Sequence, residues 1–287
     1  MRHRAEEWFD GVWGAAALVR VLAGGEDGGP LERRPLLGRV ESAGDLAELR
    51  ALSTTGTHTG DLCRCHGSVT FALHDADGGL LGRASLHGTD GVLWEGGRFG
   101  GLLEAADPVG LSLFLARYGA ARRLAGLATR LAYALGLREG RPQFREAGHG
   151  PHGARLLETR GVPRVLRPAL AQVSGHDCAG LDGARVAELR GLLAAAEPDE
   201  GRRAVALLGW LGALPEPMEA EYGEGVLVRA LLAGLDPVAA AWCAGRPAGP
   251  RAALGLLRWA GHAEATAPDA AELVALVEPV LRGAFPA

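Results

Sequence analysis

The sequence predicts an α+β module over residues 1–118, a β-hairpin or small antiparallel sheet with helices. An all-helical, repeat-like region over residues 119–287 follows it. Three observations carry this. Asp77-Gly78 stands between two runs that alternate apolar and polar residues. That is the strongest short hairpin signal, because a type I′ turn needs positive φ at both central residues. Beyond about residue 118 no run alternates in this way, and apolar residues recur at helical spacing instead. Finally, the apolar set is leucine, valine and alanine with no isoleucine, and leucine and alanine are strong helix formers.

Taken in order, Phe9, Val12, Trp13, Ala16 and Val19 recur at helical spacing and predict one amphipathic helix over residues 4–23. Gly24-Gly25 ends it and Glu26–Pro30 is a loop. Leu36–Val40 reads as a short strand. Ser42 caps a helix running to about Leu52, with Leu46 and Leu49 inward. Ser53–Gly60 reads as a Thr/Gly loop. In the hairpin, Ser68–Asp75 pairs with Leu80–His87. A two-residue loop at 77–78 sets Phe71 against Ala84, Val69 against Leu86 and Ser68 against His87. Gly91–Glu95 is a third strand carrying Trp94. Asp107-Pro108 opens a helix, a capping carboxylate followed by proline at the first helical position. Leu111, Phe114 and Leu115 form its inner stripe, and Gly119 stands where a C-terminal cap belongs.

The second region reads as successive helices. The first, over 121–137, carries Leu124, Leu127, Leu131 and Leu135 on one stripe. Residues 143–153 form a loop. Later helices are predicted near 163–173, 183–196, 201–214, 219–235, 237–244, 250–262 and 269–282. One internal echo stands out. Leu207-Leu208-Gly209-Trp210 and Leu256-Leu257-Arg258-Trp259 share a Leu-Leu-x-Trp core. A glycine follows two residues after each tryptophan, and the spacing suits a helix-pair repeat. Over roughly residues 183–282 the pattern is similar to HEAT-like α-helical repeats. That resemblance implies stacked helix pairs with an extended partner-binding surface.

Composition excludes more than it suggests. All 30 basic residues are arginine, and neither lysine nor asparagine occurs. With isoleucine also missing, the composition is that expected of a very GC-rich genome, such as an actinobacterial one. Without lysine there is no P-loop lysine, no Schiff base and no Ser-Lys hydrolase. Without asparagine there is no glycosylation sequon and no Cys-His-Asn triad. Gly-x-Ser-x-Gly, His-Glu-x-x-His and kinase signatures are missing as well. The net charge of −4 does not advertise a polyanion partner. Four cysteines do not make a disulfide scaffold. No signal peptide and no membrane span are read, so a cytoplasmic location is expected.

Three groups of residues carry candidate chemistry. The first is Cys63, Cys65 and His66, with His58 before them and His87 across the hairpin. Thiolate and imidazole suit zinc or copper(I), and Arg64 and His66 could also depress a thiol pKa for redox work. If the strand runs back through Gly67, however, Cys63 and Cys65 share the buried face with Val69 and Phe71. His66 and His87 then take the opposite face, and a common site needs a break at Gly67. The second group is His149, His152, His176 and Cys178, in or near a Gly148-x-Gly150-x-x-Gly153 stretch that reads as a surface loop. The third is the arginine-rich segment. From Arg117 to Arg167 eleven arginines face three glutamates, so this segment is +8 and the remainder −12. Its Arg122, Arg123, Arg130, Arg138, Arg141 and Arg145 form a candidate docking face for an acidic partner or anion. Pairing with the acidic remainder of the chain is the favoured reading of these arginines. Asp75 and Asp77 fit turn formation better than a calcium loop.

The sum of these readings is an expectation of a non-catalytic, protein-binding scaffold with no cofactor. The alternatives are a metal- or thiol-dependent module using Cys63, Cys65, His66 and His87, or an anion or nucleic-acid binder using the arginines. Nucleic acid is the least expected partner, because aromatics for base stacking are sparse in that segment.

Overall fold

A computed structural model describes residues 2–61, 65–120, 122–137, 157–171, 173, 177–214, 223–237, 249–261, 274–275, 277–279 and 281–282. The chain divides into two compact units, Met1–Gly126 and Leu127–Pro286. All described strands lie in the first unit, and the described elements of the second are helical. The boundary expected at 118/119 sits one short connection earlier, just after the third helix.

The first unit is one antiparallel sheet with helices. Its elements are α1 (Arg2–Ala15), β1 (Leu18–Ala23), β2 (Leu36–Val40), α2 (Ala43–Thr54), β3 (Gly56–His58), β4 (Val69–His74), β5 (Leu80–His87), β6 (Gly91–Trp94), β7 (Leu103–Ala105) and α3 (Pro108–Arg117). The strand order is β2-β1-β4-β5-β6-β7-β3. The predicted helix 4–23 is half right. It stops at Ala15, because Leu18-Val-Arg-Val-Leu places Val19 and Val21 on the core face at period two while hydrogen bonding β2 on one side and β4 on the other. The predicted 53–60 loop contains the short strand β3, which pairs with β7.

The hairpin register is as predicted: Phe71 pairs with Ala84 and Val69 with Leu86. The turn differs. The register shifts after Leu73 and the Asp75 N–H bonds the Gly79 carbonyl at 3.0 Å, leaving a three-residue loop in which Gly78 has φ +84. This is a bulged turn rather than type I′. Asp75 stabilises it by accepting from the N–H groups of Asp77 and Gly79, at 3.0 and 2.7 Å.

Helix starts follow their caps. The Ser42 hydroxyl accepts from the Asp45 N–H, and Asp107 accepts from the Gly110 N–H at 2.8 Å ahead of Pro108. One sheet face packs under α1, α2 and α3 through Val21, Phe71, Ala84, Leu86, Phe9, Leu49, Leu111 and Phe114. Trp94 sits among Trp8, Phe9, Trp13 and Phe71, with ring centroids 5.2–6.1 Å away, and its indole N–H donates to the Ser53 carbonyl. The second sheet face is covered differently. Residues 24–34, between β1 and β2, lay Leu31 against Leu22 and Ala72, and it is on this face that the site lies.

Of the later elements, α4 (Arg123–Ala134) buries Leu124, Leu127 and Leu131 as its stripe predicts. The second unit then has short helical turns at Arg164–Leu166, Arg167–Leu170 and Asp177–Gly180. Among the described residues longer helices follow: α5 (Gly183–Ala196), α6 (Glu200–Ala213), α7 (Gly223–Leu232) and α8 (Pro250–Gly261). Asp182 and Asp199 cap α5 and α6 by accepting from the N–H three residues on. The echoed segments form α6 and α8, which pack on each other through Gly212 and Gly255. The loop expected at 143–153, and the helix expected at 237–244 beyond its first residue, lie outside the described residues. Among the described residues no helix is long and apolar enough to cross a membrane.

Candidate functional site

On β5, side chains alternate between faces, so Ser85 and His87 point away from the aromatic core while Ala84 and Leu86 point into it. Ser85 is fully buried and His87 is 3% exposed. The covering loop brings Glu26 onto this face, and the Ser85 hydroxyl donates to Glu26 Oε1 at 2.8 Å. Ser85 Oγ also lies 2.8 Å from His87 Nε2. On the other side of the ring, His87 Nδ1 lies 3.2 Å from the Cys65 sulfur. Cys65 is exposed.

This arrangement corrects the expected parity. Cys65 does not share the core face with Val69 and Phe71, because the strand does not run back through Gly67. Gly67 has φ +73, a left-handed conformation that favours glycine, and β4 begins only at Val69. The reversal turns Cys65 toward His87 and sends His66 outward, where it pairs with Asp27 at the surface. Close approach makes it possible. A Cβ on Gly25 would lie 1.8 Å from the His66 carbonyl oxygen, so only glycine lets the 65–67 segment press on the loop that carries Glu26.

Hydrogen-bond accounting sets the polarity of the chain. The single Ser85 hydroxyl proton goes to Glu26 Oε1. Ser85 Oγ then accepts from His87 in the tautomer that carries its proton on Nε2. Nδ1 lies on the Cys65 side of the ring, near both that residue's sulfur and its backbone carbonyl. Burial holds the His87 pKa below its usual 6.5, against the opposing pull of the Glu26 charge and of the Cys65 backbone carbonyl. The ring is therefore a neutral base beside a thiol. Arg123, buried, donates to the Gly88 and Thr89 carbonyls and to the Ser68 hydroxyl. It fastens the turn immediately after His87.

Of the first candidate group, then, the structure joins Cys65 and His87 and separates His66. Cys63 and Arg64 lie outside the described residues. His58 is on β3, three strands from β5, where it lines a cavity of about 390 Å³ with Thr57, Thr59 and Phe99. Among the described residues no three His, Cys, Asp or Glu side chains are placed to hold a metal ion. In the second group, Cys178 is buried and its thiol is pushed up to about 12, first by burial and then by Glu224 and Asp177. It is an inert thiol, in contrast to Cys65. His149, His152 and His176 lie outside the described residues. Among the arginines, Arg122 is exposed, Arg123 is turned inward as above and Arg130 is half-buried. Arg138, Arg141 and Arg145 lie outside the described residues. Sequence reasoning missed Ser85 and Glu26. Ser85 had a signal, since it is two residues from His87 on one strand and must share its face. Glu26 had none.

The fold and site define a mixed α/β chain in which a cysteine before β4 meets a histidine on β5, with a serine and a glutamate hydrogen bonded behind the ring. No protein-family model, curated protein or solved structure matches the chain.

Proposed function

We propose that the first unit is a thiol-dependent module in which Cys65 is the nucleophile and His87 its base. The observation that carries this is the 3.2 Å approach of the Cys65 sulfur to His87 Nδ1, with Ser85 against the opposite ring nitrogen. A thiolate is the reactive form of cysteine, and an adjacent base supplies it at a pH where a free thiol of pKa about 8.5 is mostly protonated. The test is alkylation of the intact protein by iodoacetamide, followed on the Cys65 peptide by mass spectrometry between pH 5 and 9. Cys65 should react faster than free cysteine at neutral pH, and His87→Gln should return both rate and pH profile to those of an ordinary thiol. Equal rates in the two folded proteins would refute the reading. The same cysteine and histidine could serve a zinc or copper(I) site with Cys63, and metal analysis of the untagged protein tests that use.

A partner-binding scaffold is the second reading, and the contact between the echoed helices α6 and α8 is what favours it. The HEAT-like form of it is weakened by the details of that contact. At the offset of the echo Gly212 corresponds to Gly261, and Gly255 to Ala206, so the packing uses non-equivalent positions. Trp210 is fully buried where Trp259 is half-buried. A partner recovered with the wild-type chain and lost on substituting exposed residues of α6 or α8 would support this reading. Recovery unaffected by those substitutions would count against it.

A further inference from the structure

Resting on the thiol reading above, we infer that the Cys65 centre is built for acyl transfer, with an activated acyl donor, an ester or thioester, as its substrate class. The reason lies behind the histidine. Disulfide exchange needs a thiolate and expels a thiolate, so no proton carrier has to be held in place. Acyl transfer makes two further demands. The leaving oxygen or sulfur must be protonated, and water must later be deprotonated to release the acyl group. One base, fixed in orientation and able to carry a proton between the two half-reactions, meets both. Ser85 and Glu26 provide that fixation. Ser85 occupies Nε2 from the far side at 2.8 Å and Glu26 holds Ser85 at 2.8 Å, which leaves Nδ1 as the ring position beside the Cys65 sulfur. The carboxylate, one hydroxyl away, stabilises the imidazolium that forms in transit. Cys65 is an exposed residue whose sulfur meets the buried ring, so a carbonyl arriving from solvent meets the nucleophile before the base.

The steps balance without an oxidant or reductant. The Cys65 thiol proton passes to His87 Nδ1 as the sulfur bonds the acyl carbon. The bond from that carbon to the leaving group breaks, and the leaving group takes the proton from Nδ1. The product is an acyl-thioester on Cys65. Water then gives a proton to Nδ1 and its oxygen bonds the acyl carbon. The carbon–sulfur bond breaks, and the sulfur recovers the proton as the carboxylic acid departs.

The experiment uses the full chain and p-nitrophenyl acetate. A burst of one p-nitrophenolate per chain should appear, with an acetyl group on the Cys65 peptide, followed by slower steady turnover. Cys65→Ala should abolish the burst. Ser85→Ala should slow deacylation by roughly 10- to 100-fold, within the usual range of general acid–base contributions. Glu26→Gln preserves shape and removes charge, and serves if Ser85→Ala does not fold. Because the Glu26 charge raises the His87 pKa, removing it should move the acid limb of the turnover profile to lower pH, a shift that a merely structural role would not produce. If Cys65 alkylation depends on His87 but acetylation of Cys65 is no faster than that of free cysteine, or the acetyl-enzyme does not turn over, the acyl-transfer inference falls and the thiol reading stands. If alkylation is itself independent of His87, both fall.

Discussion

Arg34 donates from Nη1 to the Thr70 hydroxyl at 2.7 Å, across 36 positions of sequence. Thr70 in turn donates to the Gly24 carbonyl at 2.8 Å. The rest of the guanidinium is spent on the covering loop, with Nε and Nη2 both reaching the Gly29 carbonyl and Nη2 the Glu26 carbonyl. A buried cation thus ties the loop to β4 and sets the backbone from which Glu26 reaches Ser85. Arg34→Met keeps the apolar stem and removes every donor. Each hydrogen bond to a charged group contributes about 1.5–3 kcal/mol, so the variant should lose at least ~2 kcal/mol in urea unfolding of the first unit. Its Cys65 alkylation rate should fall from the wild-type value toward that of His87→Gln. An unchanged alkylation rate would show that Glu26 is placed without Arg34.

His87 gives the site a pH signature in stability. Its pKa in the fold is below 6.5, with burial the main cause. As pH falls past 6.5 the unfolded chain takes up this proton before the folded chain does, so protonation favours unfolding. The contribution is present above pH 6.5 and is lost as pH drops through the folded pKa. Wild type should therefore lose more stability between pH 7.5 and 5 than His87→Gln does, as read from urea midpoints at each pH. Parallel curves for the two proteins would remove the burial argument for a neutral base.

How much of this could be read in the residues depends on how local each feature is. The register of β4 on β5 was legible because Asp77-Gly78 and two alternating runs fix it within some twenty residues. Ser42, Asp107 and Pro108 announced their helices in the same local way. The strand β1 was not legible, because Val19 continues the helical spacing of Phe9, Val12 and Ala16 as well as it begins a strand, and only pairing with β2 and β4 decides. β3 and β7 have three residues each and exist through their neighbours. In the site, His87 and Cys65 were named together, but their meeting turns on the sign of φ at Gly67, which glycine permits without requiring. Glu26 arrives from 59 positions away through a loop pinned by Arg34. No periodicity records such a contact.

The crossing of α6 and α8 gives a sharp steric prediction. A Cβ on Gly212 would lie 1.7 Å from the Arg251 carbonyl oxygen, and one on Gly255 would lie 1.9 Å from that of Leu208. Both obstacles are backbone, so the helices must separate. Alanine gains about 1 kcal/mol over glycine in a helix interior, while forced overpacking costs about 1–3 kcal/mol and more when backbone must move. The clash wins, and Gly212→Ala and Gly255→Ala should each lower the melting temperature of the second unit. Gly209, on the same helix α6, has nothing within 4 Å of its added Cβ, and Gly209→Ala should raise the melting temperature. If Gly212→Ala matched Gly209→Ala, the close crossing would be wrong.

The second unit also buries an ion pair whose two halves fail differently. Arg160 Nη1 lies 3.4 Å from Glu224 Oε1, with the side chains 9% and 1% exposed, and the Trp210 indole N–H donates to Glu224 Oε2 at 3.4 Å. Burial raises the Glu224 pKa above 4.5, with Arg160 and Trp210 pulling it back. Arg160→Met removes that pull and strands a charge in the interior, which should cost about 3–5 kcal/mol at pH 7. Above pH 4.5 the folded carboxyl holds its proton longer than the unfolded one, so its stabilising contribution is full below 4.5 and is lost as pH rises through the folded pKa. The penalty of Arg160→Met should therefore shrink as pH is lowered from 7 toward 5. Trp210 fluorescence, from a ring that touches the carboxylate, reports the transition. Replacing both partners, Arg160→Met with Glu224→Leu, should recover most of the loss, because a buried pair exchanged for apolar side chains of similar volume is often neutral or better. A double variant as unstable as Arg160→Met alone would show that the pair holds the helices in register rather than merely neutralising itself.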